Sequence, residues 1–148
     1  MTKLYSFRLN KILDYRKYLS KRAQIDVFNA RNECQKKEEE VLRLVEQRAE
    51  ISEECSEEET KGMSVPVYQI FQAFMQKIDC NLEEAHLRLN EGKEKVMVKE
   101  AILKIASIKK KTLETLKDLQ HKKYMETLGR EEQKILDEIV IIGKGRSV

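Results

Sequence analysis

The sequence predicts an all-α chain: an antiparallel two-helix coiled-coil hairpin with a longer second helix. Three observations carry that expectation. A heptad pattern runs from Leu9 to Cys55, a single cluster of helix breakers lies near residue 62, and the composition is short of both core and turn residues. Of 148 residues, 37% are charged and 6% aromatic, with five Gly and one Pro; an average globular domain has about 25% charged residues. Bulky apolar matter is too scarce for a conventional close-packed globule. The 41% hydrophobic fraction is nonetheless too high and too regularly placed for disorder. Few Gly and a single Pro leave little punctuation for a many-turn β or α/β fold. Function is therefore expected through surfaces rather than through a pocket.

Helix 1 is expected over about residues 7–58. Alternating steps of four and three from Leu9 give Leu13, Arg16, Ser20, Ala23, Val27, Ala30, Cys34, Lys37, Val41, Leu44, Arg48, Ile51 and Cys55. Ten of these fourteen positions are apolar, counting Ala and Cys, and their neighbours are mostly Glu, Lys, Arg and Gln. Sustained over so many heptads, that pattern is a coiled-coil seam rather than an ordinary amphipathic helix. A turn follows over about 59–65, where Gly62 suits a left-handed C-terminal cap and Pro66 suits the first turn of the next helix. Helix 2 is expected over about 66–142. Its stripe is Phe71, Met75, Ile78, Leu82, Ala85, Leu89, Gly92, Val96, Lys99, Leu103, Ala106, Lys110 and Leu113. Residues 143–148 read as a short basic tail, and the chain as one coiled-coil unit over 1–148.

The hairpin is expected to be unequal. Counting equally from Gly62 puts Leu9 opposite about residue 115, so residues from about Leu116 to Ile142 extend past helix 1. At 1.5 Å per residue that overhang is on the order of 40 Å long. It is still patterned, through Leu116, Leu119, Tyr124, Leu128, Ile135, Leu136, Ile139 and Ile142. An apolar stripe without intrachain cover points to a partner in preference to fraying. Gly129 within it weakens the helix by about 1 kcal/mol and is read as a bend. Charge is also segregated. Residues 1–22 hold seven Lys/Arg and one Asp, residues 33–59 hold eleven Glu and four Lys/Arg, and residues 93–123 hold ten Lys and four acids. Folded back, the turn end is acidic and the remainder basic, so the rod has a polarity. Taken singly, these charges read as the solvated faces of a coiled coil.

Several function classes are excluded. No stretch approaches the roughly 20 apolar residues of a membrane span, and residues 1–10 lack the apolar core of a secretory signal. Cys34, Cys55 and Cys80 have no Cys-x-x-Cys spacing and read as reduced thiols in a cytosolic chain. The net charge of +3 alone does not imply nucleic acid. His86 and His121 stand 35 residues apart in sequence, or about 50 Å on a continuous helix, too far to share a monomeric site. Glu83 and His86 form one Glu-x-x-His, whereas a di-iron bundle needs two such motifs and two more Glu on four helices. Gly143 to Arg146 has the wrong spacing for a phosphate loop. No enzyme, metal or cofactor is expected. The lysines Lys104, Lys109, Lys110, Lys111, Lys117, Lys122 and Lys123 could neutralise phosphates, but arginine is sparse there and no reading module accompanies them, so nucleic acid is not an expected partner.

Two stretches resemble the FliJ family, the small coiled-coil protein of the bacterial flagellar type III export apparatus. Near the N-terminus these are Phe7-Arg8-Leu9 and Ile12-Leu13-Asp14-Tyr15-Arg16; near the C-terminus, Arg130-Glu131-Glu132-Gln133-Lys134-Ile135-Leu136-Asp137-Glu138-Ile139. Length, turn position and the longer second helix agree, so the resemblance spans essentially the whole chain. It implies a non-enzymatic stalk, similar in architecture to the two-helix coiled coil of the rotary ATPase γ subunit. The partners it implies are the hexameric flagellar export ATPase, the membrane export gate protein and export chaperones. The location it implies is cytoplasmic, peripheral at the inner membrane, without membrane insertion. The alternatives left open are a virulence-type secretion stalk, a generic coiled-coil scaffold and a non-specific nucleic-acid-binding rod.

The resemblance also implies a gate-contact surface on both helices beside the turn. Leu44, Phe74 and Ile78 match it in kind. Glu40, Gln47, Ile51 and Asn81 occupy matching positions with different side chains, and His86 is one position from the family's histidine. Leu44, Gln47, Phe74 and Ile78 are the expected gate contacts, although Leu44, Ile51 and Ile78 read equally as seam packing. Phe74 lies off the counted stripe and is expected to be exposed. The expected ATPase-ring contacts, near the open end, are Arg8, Leu13, Arg16, Lys123, Arg130 and Ile139.

Overall fold

Two helices, α1 (Asn10–Lys61) and α2 (Val65–Arg146), pack against each other as a two-helix hairpin, with no strand among the described residues. The computed structural model describes residues 4–146, with the backbone only at Arg146.

The connection is three residues long, Gly62 to Ser64. Gly62 has φ +88°, the left-handed cap that a residue with a Cβ adopts only under strain. Its N–H donates to the Glu59 carbonyl at 3.2 Å, and the Thr60 hydroxyl donates to the Glu57 carbonyl at 2.6 Å. The first of these bonds satisfies a carbonyl that the ending helix leaves without a partner. The Ser64 carbonyl accepts the first α2 bond, from the Tyr68 N–H at 3.1 Å. Pro66 falls in that first turn, where its missing N–H has no partner to lose.

The heptad count locates the interface. Of the fourteen seam positions from Leu9 to Cys55, all but Arg48 are buried or half-buried, and all thirteen α2 stripe positions are too. Arg48 instead leaves the seam for a 2.6 Å ion pair with Asp79.

Contacts divide the chain into two units, each taking a stretch of both helices: residues 22–103, and residues up to Lys21 with those from Lys104 onward. In the first of these, Val41, Leu44, Ala85 and Leu89 form a buried cluster, with Cys34 and Leu82 packed on it. Arg31–Glu100 at 2.7 Å and Lys95–Glu33 at 3.3 Å cross between the helices in antiparallel order. These exposed pairs contribute at most about 1 kcal/mol each and mainly reinforce register. Gly92 lets the backbones approach: a Cβ built there would lie 3.7 Å from the Cys34 Cα and 3.3 Å from the Lys37 Cδ.

In the other unit, Phe7, Leu13 and Ser20 are buried. Residues 7–10 close a turn, with the Asn10 N–H on the Phe7 carbonyl at 3.1 Å. Helix 1 therefore starts at Asn10 rather than near 7, because Phe7 turns inward to bury its ring. The preceding segment lies on α2. The Tyr5 hydroxyl donates to the Lys117 carbonyl at 2.9 Å, and its ring meets His121 edge-on at 4.8 Å and Tyr124 at 5.6 Å.

This segment corrects the expected overhang. Lys117 Nζ donates to Asn10 Oδ1 at 3.2 Å, so α1 begins a few residues further along α2 than equal counting from Gly62 implies. The fold-back is centred on Met63 and Ser64 instead. The N-terminal residues reach α2 as far as Tyr124; of the stripe, Leu116 and Leu119 are exposed, Tyr124 and Leu128 are half-buried, and every position from Gly129 to Gly145 is exposed. The expected stop near 142 is also not seen, since α2 continues through Gly129, Gly143 and Gly145. One Gly weakens a helix by about 1 kcal/mol, too little to end one that is otherwise continuous.

Ser20 Oγ is fully buried and has no hydrogen-bond partner among the described residues. Replacing it by Ala removes an unsatisfied hydroxyl, so Ser20→Ala is expected to raise the denaturant-unfolding free energy by about 1 kcal/mol. Gly62→Ala is expected to lower it by about 1–2 kcal/mol, because L-residues resist positive φ.

Candidate functional site

Among the described residues, no three His, Cys, Asp or Glu side chains gather where they could hold a metal ion. What the chain presents is surface.

In the unit of residues 22–103, the surface of interest lies beside the turn. A shallow groove of about 350 Å³ is lined by Gln47, Glu50, Ile51, Glu54, Ile70, Phe71 and Phe74. Ile51 and Phe71 are half-buried seam residues that form its floor. Phe74 is 47% exposed, as its position off the stripe predicts, and Gln47 is half-buried at the groove's edge. Glu50 and Glu54 make one rim acidic.

The other two expected gate contacts differ. Leu44 and Ile78 are buried, Ile78 to 3% exposure, so neither offers a surface to another protein. Both occupy seam positions and are consumed by packing. Sequence reasoning missed Val65, Val67, Tyr68 and Ile70, which extend the exposed apolar surface around the start of α2. Their signal was an apolar run off the stripe immediately after the turn. Glu40, further from the turn, accepts both nitrogens of Arg43 at 2.7 and 3.2 Å. That hydrogen-bonded guanidinium holds its carboxyl below the usual glutamate range. Asn81 and His86 are exposed.

In the other unit, Arg8, Lys123, Arg130 and Ile139 are exposed and Arg16 is half-buried. Leu13 is the exception among the expected ring contacts: at 1% exposure it is packed in the seam and unavailable to a partner. Tyr124 and Leu128 are half-buried, and from Gly129 to Gly145 every side chain is exposed. Ile135, Leu136, Ile139, Val140, Ile141 and Ile142 stand in this stretch, each more than half exposed. So large an apolar surface on one helix is characteristic of an interaction site.

All three cysteines are free thiols. Partial burial, with the Glu59 carboxylate accepting from its sulfur at 3.8 Å, pushes the Cys55 thiol above its ordinary value. Cys80 is exposed.

A family model described as flagellar FliJ protein matches residues 5–147 of the chain. No curated protein and no solved structure gives a significant match.

Two measurements check the division between packing and surface. Ile78→Ala is expected to destabilise the chain by about 2–4 kcal/mol, whereas Phe74→Ala is expected to leave the unfolding midpoint within experimental error. With limiting maleimide at neutral pH, mass spectrometry is expected to find Cys80 labelled first and Cys55 later, since the thiolate is the reactive form.

Proposed function

The chain belongs to the FliJ family of flagellar proteins, and from that premise we propose that it acts as the stalk of the export ATPase. Membership makes it a structural component of the flagellar export apparatus. The stalk inserts into the hexameric ATPase, promotes its assembly and activity, and links it to the export gate and to export chaperones. It works at the cytoplasmic face of the inner membrane; no described helix is long and apolar enough to cross that membrane.

One observation carries this reading. Beyond Leu128, α2 continues to Arg146 with an apolar row that no residue of α1 covers. A helix with such a row gains stability when another protein buries it. The basic side chains Arg8, Arg16, Lys123 and Arg130, with Ile139, would meet the ring, while Leu13 supports them from the seam. Phe74 and Gln47 would meet the gate from the groove beside the turn, supported by Leu44 and Ile78.

The coupling follows from symmetry. A single asymmetric stalk cannot touch six identical subunits alike. Subunits that contact it are biased towards different nucleotide states, so stalk binding and nucleotide binding share a coupling free energy. The chain supplies contacts rather than chemistry and needs no cofactor.

The test is the ATPase rate and assembly state of the cognate hexamer, with the full chain or a variant ending at Leu128. The full chain is expected to raise both, and the shortened variant to lose most of the effect while its melting behaviour is retained. If the two chains act identically, or neither acts, the stalk proposal fails.

A further inference from the structure

The portion of α2 from Lys104 to Leu119 carries a second heptad face, separate from residues 129–146 and from the groove beside the turn. Its seam face, turned to the N-terminal part of α1, consists of Ala106, Lys110, Leu113 and Lys117, all half-buried. Steps of three and four from Ile105 give Ile108, Thr112, Thr115 and Leu119, with Leu116 alongside, and all of these are exposed. At about 100° per residue, this second row lies about 150° round the helix from the seam. Ile105, Ile108 and Leu119 each keep more than half of their surface in solvent. The Thr112 hydroxyl donates to the Ile108 carbonyl at 2.8 Å, so it is satisfied within the helix and its methyl group remains for packing. Lys104 and Lys111 flank the row on one side, followed at the next heptad step by Asp118, Lys109 flanks it on the other, and Lys122 stands at the next step of the row itself.

A heptad row with flanking charges is the pattern by which one helix receives another. We propose that this face docks an amphipathic helix of another protein whose apolar seam is flanked by Asp or Glu. Charge selects the occupant. A second copy meeting through the same face would bring lysine rim against lysine rim, and like charges opposed across an interface disfavour the pairing. Nucleic acid would use the lysines and gain nothing from the isoleucine row, because phosphate contacts are electrostatic. A lipid surface would favour large apolar groups along the whole face, whereas Thr112 and Thr115 occupy its middle. An acidic-flanked helix satisfies both the row and its rims. The proposal does not rest on the stalk function, since it concerns side chains given no part in ring or gate contact.

The test uses the full chain and two synthetic heptad peptides with leucine at their seam positions, one flanked by Glu and the other by Lys. Fluorescence anisotropy is expected to show saturable binding of the Glu-flanked peptide, weakening as salt rises, and binding at least about tenfold weaker for the Lys-flanked one. The double variant Ile105→Asp, Ile108→Asp is expected to lose the Glu-flanked peptide while keeping its circular dichroism and melting midpoint, because both side chains are exposed. If that variant fails to fold, Lys104→Glu with Lys111→Glu is expected to shift preference toward the Lys-flanked peptide. Equal binding of the two peptides overturns the proposal. So does unchanged binding by a folded variant, or saturable binding seen only with phosphatidylglycerol vesicles or with duplex DNA.

Discussion

Burial of one apolar heptad face against another is the constraint on which the other features of this chain depend. A lone helix with 37% charged residues in its parent chain has no core of its own, so each helix is stabilised chiefly by its neighbour. The seam is built partly from small residues. Ala23, Ala30 and Ala85 are buried in it, and Gly92 brings α2 close to the backbone of α1 at Cys34. Small residues bury less apolar area than leucines, so the margin per heptad is modest. The cross-helix ion pairs do not make up the difference, being exposed. They reinforce an alignment that the heptads impose.

Unequal helix lengths turn that constraint into function. α1 has 52 residues and α2 has 82, so the seam is exhausted before α2 ends. The N-terminal segment delays this by laying Tyr5 across His121 and Tyr124. Past Leu128 the helix keeps an apolar row that no other described residue covers. Beside the turn, the residues around the start of α2 present a smaller apolar surface with an acidic rim. Membership of an export-apparatus family gives both surfaces a reason to remain uncovered.

The seam was readable from residue spacing because coiled-coil packing is periodic, and alternating steps from Leu9 predicted its positions with Arg48 the one departure. The turn was readable because Gly62 and Pro66 have conformational requirements of their own. The Tyr5 contacts were not readable. They join segments more than a hundred positions apart, and a single aromatic leaves no periodic trace. Leu13, Leu44 and Ile78 failed as surface contacts for a different reason. Resemblance carries side-chain identity but not exposure, and their own heptad positions had already placed them inside. Of the outer row from Ile105 to Leu119, only its Leu116 and Leu119 end was counted, because a helix read for one stripe conceals a second at the same spacing.

The central claim is that α2 beyond Leu128 is covered by the export ATPase. Hydrogen–deuterium exchange of the full chain, alone and with its cognate hexamer, tests it most directly. The account predicts fast exchange across residues 129–146 in the isolated chain and marked slowing there when the hexamer is bound, with the Val41 to Leu89 core protected in both states. Unchanged exchange across 129–146 in a hexamer-bound sample would contradict it.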